Sequence, residues 1–63
     1  MKELIGKGHK TTYKYMKARG YNLYDCEETE NGYEAEWYIS HAGVTVKRVI
    51  IVFNKNWRVI EIK

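Results

Sequence analysis

From Tyr33 the chain alternates: Tyr33, Ala35, Trp37 and Ile39 are separated by Glu34, Glu36, Tyr38 and Ser40. A period of two places one set on each face of a strand, so this stretch reads as a half-buried β-strand. The preceding run, YNLYDCEETE, shows the same period, and Asn31-Gly32 between the two runs predicts a hairpin with a type I′ turn. HAG follows at residues 41–43. A three-residue loop closing on a left-handed Gly43 would set Ser40 opposite Val44, Ala35 opposite Val49 and Tyr33 opposite Ile51. VTVKRVIIVFN is the longest strand, and a turn at Lys55-Asn56 returns WRVIEIK with Ile51 facing Ile60 and Val49 facing Ile62.

The N-terminal part has a different rhythm. TTYKYMKAR contains no breaker, so a helix is expected over 11–19, with Thr11 or Thr12 as its cap and Gly20 as a left-handed stop. Residues from about 3 onward form its lead-in. Tyr13, Met16 and Gly20 share one helical face, and Lys7, Lys10, Lys14 and Lys17 share another. The expected fold is therefore α+β, one N-terminal helix packed on a four-stranded antiparallel β-meander, as a single domain over 1–63. The registers agree on one core face: Tyr24, Cys26, Tyr33, Ala35, Trp37, Ile39, Val49, Ile51, Phe53, Ile60 and Ile62.

NGYEAEWYI and IIVFNKNWRVIEI resemble the paired strands of PepSY-like units, in which a helix precedes a meander. Trp57 stands where that pattern usually has a glycine after the last turn. The resemblance spans the later half of the chain and implies topology without function.

The opposite face carries Glu34, Glu36, Tyr38, Val44, Val46, Arg48, Ile50, Val52, Trp57, Val59 and Glu61. One helix covers only one face of a sheet, so the apolar part of this set is expected to be exposed. Contiguous apolar surface marks an interface. Tyr38, Val44, Val46, Arg48, Ile50, Val52, Trp57 and Val59 are the expected protein-binding residues, with Trp57 as anchor. The last strand's edge is expected to lie open for pairing.

Charge sharpens this picture. Residues 25–36 hold six acids and no base, whereas both flanking segments are basic and the net charge is +3. The lysine stripe Lys7, Lys10, Lys14 and Lys17 is an alternative contact for nucleic-acid phosphates. IGKGHKTT superficially suggests a phosphate loop, but His9 separates Gly8 from Lys10, which breaks the G-x-x-x-x-G-K-[ST] spacing. His9, His41 and Cys26 have no ligand spacing, and Cys26 on the core face reads as inert packing. No catalytic constellation is present, so neither enzyme activity nor a cofactor is expected.

A 63-residue core also leaves little room for a deep pocket, so no small-molecule substrate is expected. A single cysteine, with no signal-like or membrane-spanning run, suggests a cytoplasmic protein. The functional expectation is a small binding module, a regulator or inhibitor, meeting a protein partner or a second copy of itself.

Overall fold

The computed structural model describes residues 1–63 as helix α1 (His9–Ala18) followed by strands β1 (Asn22–Thr29), β2 (Gly32–His41), β3 (Val44–Asn54) and β4 (Val59–Ile62). The strands form one antiparallel sheet in the order β1-β2-β3-β4. The α+β meander expected from the pattern is the observed fold.

Helix α1 starts earlier than its threonines suggest. Gly8 is the N-cap, in extended conformation, and Thr12 lies inside the first turns, where its buried Oγ1 donates to the Gly8 carbonyl at 2.9 Å. The C-terminus ends in a Schellman arrangement. Gly20 takes φ +85° and donates to the Lys17 carbonyl, while Tyr21 N–H reaches back to the Met16 carbonyl. Tyr21 and Met16 are both buried, so the motif also delivers an apolar contact to the core.

The lead-in is a single 3-10 turn at Lys2–Leu4, with Leu4 buried. Residues 6–8 then run beside β4: Gly6 N–H donates to the Val59 carbonyl, Val59 N–H to the Lys7 carbonyl, and Gly8 bridges Arg58. The edge of β4, expected to be open, is occupied there by the chain's own N-terminal segment. This tie brings α1 onto the sheet from the β4 side.

The core comprises Leu4, Met16, Tyr21, Ala35, Trp37, Val49, Ile51, Phe53 and Val59. The strand pairings differ from the expected ones for identifiable reasons. The first turn centres on Glu30-Asn31, not Asn31-Gly32, and neither central residue has positive φ, so it is not type I′. Gly32 instead passes so close to β3 that a Cβ there would meet the Phe53 carbonyl oxygen at 2.0 Å.

The second turn has two residues, Ala42 (φ +53°) and Gly43 (φ +80°), rather than three. It pairs His41 with Val44, and a bulge at Val46 adds a further step, so Ala35 faces Ile51 and Trp37 faces Val49. The total slip of two keeps the central residues on their expected faces. In the third turn Lys55, Asn56 and Trp57 form the loop, with Asn54 Oδ1 accepting from Asn56 and Arg58 N–H. Phe53 therefore faces Val59, and a bulge at Ile60 returns Ile62 to Ile51.

These details correct several placements. Val59, assigned to the outer face, is a core residue with 1% exposure, and Ile60, assigned to the core, is 51% exposed. A bulge at Tyr24 puts Leu23 opposite Trp37 on the helix face. Tyr24 stands 71% exposed on the outer face, edge-on to Tyr38 with ring centroids 6.3 Å apart. Val44 pairs with His41, on the helix-face phase of β2, while Thr45 lies with Tyr38 and Arg48 on the outer face. No helix is long and apolar enough to cross a membrane.

Candidate functional site: the groove between α1 and β1

Because α1 enters from the β4 side, it does not reach across the sheet. Leu23 and Cys26 of β1 occupy helix-face positions, opposite Trp37 and Ala35, yet both are exposed. Cys26 is therefore not the buried thiol expected from its phase. The uncovered strip forms a groove of about 360 Å³. One wall is α1, through His9, Lys10, Thr12, Tyr13 and Lys14; β1 supplies Leu23 and Cys26. Ala35, Trp37 and Phe53 form the floor, and Trp57 closes one end.

Aromatic contacts fix this geometry. The Tyr13 ring meets Trp37 edge-on at 5.7 Å, which leaves Tyr13 half exposed on the groove's lip. Trp57 does not face outward as expected. It stacks on Tyr33 with centroids 3.7 Å apart and planes 10° apart, and it touches Phe53 and His9 at 5.5 and 5.2 Å. Its backbone takes φ +61°, a left-handed conformation rare for a bulky residue. That conformation turns the indole inward to end the groove.

Two polar features stand against the apolar lining. Lys10 and Lys14 are exposed on the rim, and neither they nor Lys7 and Lys17 are within ion-pair distance of an acid; the ion pairs are Met1–Glu3, Arg48–Glu36 and Lys63–Glu34. The Trp37 Nε1–H is buried and has no acceptor. An unsatisfied buried donor costs about 1–3 kcal/mol of stability. Cys26 is held above the ordinary thiol pKa by partial desolvation and by the neighbouring Asp25 carboxylate.

The outer face is less apolar than expected. With Trp57, Val59 and Val44 removed, it retains Tyr38, Ile50 and Val52 as half-buried residues, together with Arg48; Val46 at the bulge is 62% exposed. Arg48 pairs with Glu36 and Lys63 with Glu34, laying charge across the aliphatic strip. The uncovered helix-face strip was not foreseen. Its sequence signal is Leu23, whose apolar side chain is out of phase with Tyr24 and Cys26.

The structure brings no three His, Cys, Asp or Glu side chains together as a metal site. No known protein family, curated protein or solved structure matches this chain.

Proposed function

We propose that this protein is a small non-enzymatic binding module, and that it holds an apolar, carboxylate-bearing segment of a partner protein in the α1–β1 groove. The observation that carries this reading is the apolar groove with two unpaired lysines on its rim. Concave apolar surface with a few placed polar groups is the usual form of a binding site. Lys10 and Lys14 attract a negative charge, and the Trp37 ring supplies apolar floor beneath them. This retains the protein-contact function expected from the sequence but moves the contact to the opposite face.

The test is a nuclear magnetic resonance titration with a synthetic acidic, aromatic-rich peptide. Shift changes should map to Tyr13, Leu23, Cys26 and Trp37, and Lys10→Glu combined with Lys14→Glu should weaken binding about tenfold or more. Changes confined to Tyr38, Ile50 and Val52 would return the interface to the outer face.

One observation favours a second reading, nucleic-acid binding by Lys7, Lys10, Lys14 and Lys17. Asp25, Glu27, Glu34 and Glu36 group with Ile50 on the face away from the helix, so they do not shield the lysines. Binding of a single-stranded oligonucleotide that weakens steeply with salt, and whose salt slope flattens in a Lys10→Gln, Lys14→Gln, Lys17→Gln variant, would support it. No binding at low salt removes it.

A further inference from the structure

The groove is bounded on one side by a strand with an empty neighbour position. β1 is the outermost strand and pairs only with β2, so half its backbone N–H and C=O groups face away from the sheet. Its bulge at Tyr24 confines the regular run to Asp25–Thr29. Along this run the outer face calls for positive charge, whereas the groove at Cys26, rimmed by the helix lysines, calls for apolar groups and negative charge. Cys26 and Glu28 have helix-face phase; Cys26 lines the groove, whose rim carries the unpaired Lys10 and Lys14, and Glu28, an acid, lies outside that lining. Asp25 and Glu27 have outer-face phase, opposite Glu36 and Glu34. Arg48 and Lys63 neutralise Glu36 and Glu34, but Asp25 and Glu27 have no basic partner.

Resting on the groove reading above, we propose that the partner segment binds as an added fifth strand along β1. Its alternate side chains are basic towards Asp25 and Glu27, and apolar with one carboxylate towards the groove beneath Lys10 and Lys14. Only an extended chain alternates its faces every residue, so the two-signed demand itself selects a strand over a helix. Main-chain hydrogen bonds to β1 then supply affinity, and the alternating side chains supply register. A second copy of β1 does not meet this demand, because it would place its own Asp25 and Glu27 beside those already there.

The experiment uses two short synthetic peptides of identical composition. One alternates Lys with Val, Phe and Glu; the other places its lysines in one block. The alternating peptide should bind at least about tenfold more tightly and slow amide hydrogen exchange across Asp25–Thr29. N-methylation of its alternate backbone nitrogens, on the side that pairs with β1, should abolish binding. Asp25→Lys with Glu27→Lys should lose the same preference while the circular dichroism spectrum is kept.

Equal binding of both peptides with β1 amides unprotected overturns strand addition. If the acidic aromatic peptide still reaches Trp37 in that case, the groove reading survives. If no peptide perturbs the groove, both readings fall. Exchange at Asp25–Thr29 that slows with protein concentration alone would assign the edge to a second copy and also overturn the proposal.

Discussion

At Trp57 a single residue holds two opposing terms. Its φ of +61° costs an L-residue roughly 1–2 kcal/mol, yet the same backbone places its ring on Tyr33 at 3.7 Å. Aromatic pairs contribute about 0.5–1.5 kcal/mol beyond the area they bury, so the stack and its burial exceed the strain. Trp57→Ala should keep the strain and lose the stack, whereas Trp57→Gly loses both. Both variants should be less stable than the parent in urea titrations, with Gly the more stable of the two by about 1 kcal/mol. Equal stability would show that the backbone there is not strained. Cys26 gives a second residue-scale test. Its pKa is raised by desolvation and by Asp25, so its alkylation should turn on at higher pH than that of free cysteine measured alongside. The linked stability follows the same sign: it is fully present below the unfolded thiol's pKa and is lost as pH rises through the folded value. An alkylation profile matching free cysteine would remove the raised pKa.

At the level of elements, the turns decide where each side chain ends. Ala42 and Gly43 both have positive φ, the geometry of a type I′ turn, whose preferred first central residue is Asn. Ala42→Asn should therefore raise stability by about 0.5–1 kcal/mol in thermal or urea unfolding, and a neutral result would mean that the turn relaxes around alanine. The same turn shows what was legible in the sequence. Element type, order and the central core of β2 and β3 followed from period and turn residues. Bulges did not, because one extra residue leaves no compositional mark. At Val46 the turn and the bulge each add one step, and the faces survive. At the β3–β4 turn the first step alone moves Val59 inward and Ile60 outward before the bulge restores Ile62. Tyr24 and Leu23 exchange faces at the β1 bulge in the same way. The lysine rim was readable from helical spacing. The groove was not, because it depends on how far a short helix reaches across the sheet, and backbone bonds of residues 6–8 to β4 set that reach.

Across the whole molecule, charge is sorted by face, with unpaired lysines along the helix and acids outnumbering bases on the far side of the sheet. Asp25 opposite Glu36 and Glu27 opposite Glu34 are like-charge cross-strand pairs, which cost stability rather than supply it. Their position on the open β1 edge gives that cost a role, since charged side chains on an edge strand oppose pairing with further copies. Asp25→Val with Glu27→Val should therefore act in two opposite directions. Removing the repulsion and adding β-formers should stabilise the fold by about 0.5–1 kcal/mol, and salt should diminish the repulsive share of that gain. The same change should open β1 to itself, so light scattering should show the variant's mass rising with concentration above that of the unsubstituted chain. If the variant is stabilised while its mass matches the parent's at every concentration, the acids do not guard the edge. If the variant associates, the two carboxylates guard the edge by repelling an identical acidic strand, and the partner strand proposed above would meet that same pair with basic residues.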